Sequence, residues 1–147
     1  VLLTKNIMTN NEIEALLMRH NIRPTSNRIL VFKTLLAHRF PITMSEIEIH
    51  NPGFDKSSIS RVLSQFRDNH LVHVIDSGDG ASHYELCTGD ADGNHDDEHV
   101  HFHCVKCGVV LCFQDIKTVV PELPEGYSGI SVSCVVHGVC PKCRNFN

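Results

Sequence analysis

Along residues 10–70 apolar side chains recur at helical spacing, and from residue 71 onward they alternate with polar ones in short runs. Four helices fit the first stretch. Asn10 or Asn11 caps the first, with Ile13, Leu16 and Leu17 forming its apolar stripe. Pro24 breaks the chain and Thr25 restarts it as the N-cap of a second helix, whose buried side is expected to carry Ile29, Leu30, Phe32, Leu35 and Leu36 until Pro41 stops it. Thr43 or Ser45 opens a short third helix with Ile47 and Ile49, ended by Asn51-Pro52-Gly53.

The fourth helix has a capping Asp55 and buries Ile59, Val62, Leu63 and Phe66 at i, i+3, i+4 and i+7. Lys56, Ser57, Ser58, Ser60, Arg61, Ser64 and Arg67 fall largely on the rest of it, with no carboxylate before Asp68. A face of cations and short hydroxyls suits phosphates and base edges in a major groove. Leu71–Ile75 then reads as a strand, residues 76–81 as a turn and Ser82–Cys87 as the returning strand. Helices followed by a β-hairpin make a winged helix, and that order makes double-stranded DNA the expected ligand of Lys56–Arg67.

Composition sharpens the division. The net charge of −4 conceals a front half (residues 1–70) at +3 and a back half at −7. All seven Cys lie at or after Cys87, and seven of the eleven His at or after His73. No apolar run approaches the roughly 20 residues of a membrane span. The first residues lack the apolar core of an export signal, so a cytoplasmic protein is expected, in which clustered Cys favour metal over disulfides.

Cys104-Val-Lys-Cys107-Gly and Cys140-Pro-Lys-Cys143 are two C-x-x-C pairs, a spacing that lets four thiolates close around one structural Zn²⁺. Four thiolates leave no open position, so such a site does not activate water. A redox role is disfavoured because neither pair is expected to open a helix after a strand. Ahead of Cys104, a strand over residues 99–104 sets His99, His101 and His103 on one face. With Cys87, Glu85 and His73 from the hairpin, these side chains can surround a second ion: Zn²⁺ if imidazole and thiolate dominate, Fe²⁺ or Mn²⁺ if carboxylate joins. His20 and His83 read as surface or capping residues, and Cys112 and Cys134 as core positions in alternating strands.

Taken together, the chain resembles the ferric uptake regulator superfamily of metal-dependent repressors over about residues 10 to 143. The resemblance is carried by Arg23-Pro24-Thr25 with Arg28, by Ser57-Ser58-Ile59-Ser60-Arg61-Val62-Leu63, by Tyr84-Glu85-Leu86, by His99-Val-His-Phe-His-Cys104-Val-Lys-Cys107-Gly108, and by Cys140-Pro-Lys-Cys143. It implies an α+β chain: a winged-helix DNA-binding domain over residues 1–87, a hinge at 88–98, and a small α/β dimerisation domain over 99–147 with the Cys₄ zinc. It further implies a homodimer that reads a palindromic operator when a regulatory metal binds at the hinge.

The ligand set is closest to the zinc uptake regulator branch, implying a regulatory Zn²⁺ on His73, Cys87, His99 and His101. Glu85 and His103 are the alternates that would suit Fe²⁺ or Mn²⁺. DNA contacts fall to Arg28, Lys56, Ser57, Ser58, Ser60 and Arg61. Departures are specific: Ser60 stands where the family usually has Tyr, the usual carboxylate after Cys-Gly falls at Cys112, and a further family metal site aligns with Val100, Val119 and Val132. The alternatives are an iron- or peroxide-responsive relative, or, in another class, a zinc hydrolase with Glu98 as base.

Overall fold

A computed structural model describes residues 7–87, 99–130 and 132–145. The expected hinge at 88–98, with Glu98, lies outside the described residues. The chain divides into two compact units, Val1–His95 and Asp96–Asn147.

The first unit runs α1 (Asn10–Arg19), α2 (Ser26–Ala37), β1 (Ile42–Thr43), α3 (Met44–His50), α4 (Lys56–Asp68), β2 (Val72–Asp76) and β3 (Ser82–Leu86). Each helix begins where a side-chain oxygen takes up an orphan backbone N–H. Thr9, not Asn10 or Asn11, caps α1: its hydroxyl accepts from the Glu12 N–H while the Glu12 carboxylate accepts from the Thr9 N–H. This reciprocal capping box outcompetes a lone Asn. Thr43 and Glu46 repeat the device at α3, Thr25 caps α2, and Asp55 caps α4.

The helices pack their stripes into one core in which Ile13, Leu17, Phe32, Ile47, Leu63 and Phe66 are fully enclosed. Truncating either Phe to Ala would cost about 3–5 kcal/mol. Leu30 departs from expectation. It is exposed, because the buried arc of α2 centres on Val31, Phe32 and Leu35, one position further round. The sheet has order β1-β3-β2, antiparallel, with Val74 opposite Tyr84 and His73 opposite Glu85. Its hairpin turns through Gly78 and Gly80, both at positive φ, while the Ser77 hydroxyl donates to Asp79.

His20 is the C-cap of α1, as the capping alternative expected, though it is buried; His83, buried on β3, is a correction to the sequence reading. The His20 Nδ1 lies 2.9 Å from the Asn69 carbonyl, so the ring joins the end of α1 to the end of α4. His83 sits on β3 between Thr43 of β1 and Ile75 of β2.

The second unit holds β4 (His99–Cys104), β5 (Val110–Lys117), β6 (Cys134–Gly138) and the one-turn α5 (Pro141–Arg144). Sheet order is β5-β4-β6, with β4 antiparallel to β5 and parallel to β6. β5 carries the chain back along β4, so residues 118–133, without regular structure among those described, have only to pass from β5 to β6 at the starting end of β4. Gly138 packs closely: a Cβ there would meet the Phe102 ring at 2.9 Å, and the ring would have to shift. Among the described residues no helix is long and apolar enough to cross a membrane.

Candidate metal centres and nucleic-acid interface

Four cysteines converge in the second unit. Cys104 ends β4, and the chain turns back at once: the Gly108 N–H donates to the Cys104 carbonyl at 2.8 Å, with Gly108 in the left-handed region at φ +75°. That turn presents Cys107. Cys140 is the N-cap of α5 with Pro141 at its first position, and Cys143 follows on the same turn. The expectation that neither pair opens a helix therefore fails for the second pair, since Pro141 pre-sets the dihedrals for a helical turn directly after β6.

Ligand atoms of Cys104, Cys107, Cys140 and Cys143 all lie within 4.8 Å of one another. The Cys107 and Cys140 sulfurs are 3.8 Å apart. Four sulfurs at Zn–S bonds of about 2.3 Å in a tetrahedron are separated by about 3.8 Å, so the pocket already has zinc's dimensions. The Cys140 N–H donates to the Cys104 sulfur at 3.4 Å. That bond, with backbone N–H groups of Cys107 and Lys106, holds the Cys104 thiol down at about 6 against the opposing effect of burial. Cys143, hydrogen-bonded to Cys140, half-buried, and facing the Cys104 charge, is pushed up to about 12. Thiolates this close repel one another, and all four ionise together only around a cation. The donor set fits Zn²⁺.

The first unit carries a different donor group. His73 on β2 faces Glu85 on β3, and Cys87 follows one residue after that strand, its N–H bonded to the Leu71 carbonyl at 2.8 Å. The His73 ring lies between the two: Nδ1 is 3.4 Å from the Cys87 sulfur, and Nε2 is 3.0 Å from a Glu85 oxygen. Burial opposes protonation of this ring, but the hydrogen bonds and charges of Cys87 and Glu85 outweigh it and raise His73 to about 10. A thiol and a carboxylate that favour a cation between them also suit a metal ion.

In the second unit, His99 and His101 stand with ring centroids 4.7 Å apart. A register shift between His99 and Val100 turns His99 away from regular pairing, so it opposes Lys117 while His101 opposes Cys112. His103 is elsewhere engaged: its Nδ1 is 3.1 Å from Nδ1 of His137 on β6. Cys112 and Cys134 are half-buried strand residues, opposite His101 and Val100 respectively. No sequence signal singled out His137, because only strand register brings it to His103.

The exposed face of α4 presents Lys56, Ser57, Ser60 and Arg61, with Ser58 half-buried. The Ser57 and Ser58 hydroxyls donate to Asp55 at 2.5 and 3.0 Å, so both are committed to the cap. Asp55 is held at about 2 by these bonds and by the Ser58 N–H. A shallow groove beside α4 is lined by Arg28, Ser60, Arg61, Ser64, Gln65 and Asp68. Arg28 is steadied there by donating to the Arg23 carbonyl. Gln65 was not among the expected contacts, although it stands four residues after Arg61 on the same face.

The sequence model of the ferric uptake regulator family matches residues 20–134. The ferric uptake regulation proteins of Neisseria meningitidis and Neisseria gonorrhoeae are 32% identical over 92 residues, which is 60% of this chain and 59% of theirs. The match thus spans less than two thirds of those relatives. Among solved structures, a zinc uptake regulator complexed with zinc and DNA superposes with a TM-score of 0.66 at 18% identity, over 92% of this chain and 93% of that one. The Helicobacter pylori ferric uptake regulator, described as having three functional metal-binding sites, gives 0.62 at 16% identity over 92% and 91%.

Proposed function

The chain belongs to the ferric uptake regulator family, and from that premise we propose that it is a zinc-responsive repressor that binds DNA as a homodimer in the cytoplasm and controls metal-uptake genes. The observation that carries this reading is the seating of His73 against Cys87 at the foot of a winged-helix hairpin. His73 and Cys87 from the first unit, with His99 and His101 from the second, would hold the regulatory Zn²⁺. Bound zinc supplies a double positive charge that stabilises the Cys87 thiolate and gives the two units ligands in common.

The chain's own residues do the rest. Cys104, Cys107, Cys140 and Cys143 would hold a structural zinc, tying the end of β4 to the C-terminal turn. Arg61, Ser60 and Gln65 face the groove that would receive base edges, while Lys56 and Arg28 supply charge to phosphates. Ligation across the units lowers the free energy of the DNA-competent arrangement relative to others, and two copies then read a palindromic operator. Likeness of fold to a zinc uptake regulator solved with zinc and DNA supports the reading of a DNA-binding metal sensor.

The second reading is an iron or manganese sensor, favoured by the 3.0 Å approach of Glu85 to the other His73 nitrogen. Titrating metal-stripped protein on an operator fragment with Zn²⁺, Fe²⁺ and Mn²⁺ at fixed salt decides between them. Zinc is expected to promote binding at the lowest free concentration. Equal binding with and without any metal overturns the regulator itself.

A further inference from the structure

Beyond the two sites above, the geometry points to a third: His103 and His137 form a bis-imidazole clamp for a borderline divalent ion such as Zn²⁺ or Cu²⁺. The two residues are register partners on the parallel strands β4 and β6. Their rings meet at 88° with Nδ1 atoms 3.1 Å apart. Two nitrogens bound to one ion at about 2.0–2.1 Å and separated by that distance would subtend about 95–102° at the metal, between the octahedral and tetrahedral angles.

The clamp is separate from the Cys₄ centre, although His103 adjoins Cys104 in sequence. Successive residues of a strand project to opposite faces, so the imidazole pair and the Cys104 sulfur leave β4 in opposite directions. His103 is buried while His137 is exposed on the edge strand, so the ion has a route from solvent. An ion held at both Nδ1 atoms takes their lone pairs, with each ring's proton on Nε2. Imidazole pairs of this kind suit Cu²⁺, Ni²⁺ and Zn²⁺, and water fills the remaining positions.

The test uses the whole chain at equilibrium with free Zn²⁺, comparing the parent with His137→Ala and His137→Gln. The parent is expected to hold one zinc more than either variant, while both variants keep metal-dependent DNA binding. Cu²⁺ added to zinc-loaded parent should give an electron paramagnetic resonance signal with coupling to imidazole nitrogens that both variants lack. Equal zinc content in parent and variants overturns the clamp. So does a variant that loses its zinc together with the DNA response, because His137 would then serve the regulatory site. Failure of the zinc-regulator reading shows separately, in a parent whose DNA binding ignores metal.

Discussion

His73 offers each of its ring nitrogens to a different chemistry, sulfur at Nδ1 and oxygen at Nε2. A single ion takes one nitrogen of a ring, so the two neighbours compete to be its co-ligand. Cys87→Ala is therefore expected to abolish zinc-dependent DNA binding while leaving sedimentation as a dimer unchanged, and Glu85→Gln to retain the zinc response. The reverse pattern, read in the same titrations, moves the site to the iron or manganese reading.

At this scale the sequence was most informative about ligands that repeat. The doubled C-x-x-C spacing named all four thiolates that the fold gathers. It was least informative about single histidines. His20 looks like a surface residue until the Asn69 carbonyl, 49 positions away, is brought to it, and His103 acquires His137 only through the β4–β6 register. Cys104→Ser probes the gathered set. It is expected to remove one zinc per chain and to unlock the second unit, because a structural zinc contributes on the order of 10 kcal/mol to a small module. Metal analysis with amide exchange over β4 and β6 checks both consequences; an unchanged zinc content and unchanged protection would remove the structural assignment.

At the scale of the element, capping and the proposed recognition compete for residues of α4. Its apolar stripe was legible as i, i+3, i+4, i+7, and all four positions are buried. What periodicity could not show is that Asp55 occupies the Ser57 and Ser58 hydroxyls, so in the proposed interface base reading falls to Ser60, Arg61 and Gln65 and phosphate contact to Lys56. Arg61→Ala should weaken operator binding by about 10- to 100-fold if it reads a base, with relaxed preference at one position. Lys56→Ala should weaken all sequences alike and reduce the salt slope by about 0.9. Anisotropy titrations at several salt concentrations separate the two, and unchanged binding in both variants would remove α4 from the interface.

The Asp55 cap also carries a sign. Its pKa is lower in the folded chain, about 2, than the ordinary 3.8. Its contribution is therefore complete above the ordinary value and fades as pH falls towards the folded one. The thermal deficit of Asp55→Ala relative to the parent should be the same at pH 7 and pH 5 and shrink only below about pH 4. The short elements β1 and α5 escaped the sequence reading for a plain reason: two to four residues are too few to display a period.

For the molecule as a whole, the division of charge and of Cys and His along the sequence already separates a cationic, helix-rich front from a ligand-rich back. The proposed function requires that the two communicate, and thermodynamics constrains how. If zinc on His73, Cys87, His99 and His101 raises affinity for the operator by some factor, the operator must raise affinity for zinc by the same factor. Couplings of this kind are typically about 5- to 150-fold. A competing zinc chelator should therefore strip the regulatory ion from free protein at a concentration that leaves operator-bound protein loaded. The shift between the two chelator midpoints should equal the ratio of operator dissociation constants measured with and without zinc. In Cys87→Ala both quantities should collapse to unity together. A zinc affinity indifferent to the operator, alongside an operator affinity that depends on zinc, cannot arise from one linked equilibrium. It would place the zinc effect outside these four ligands.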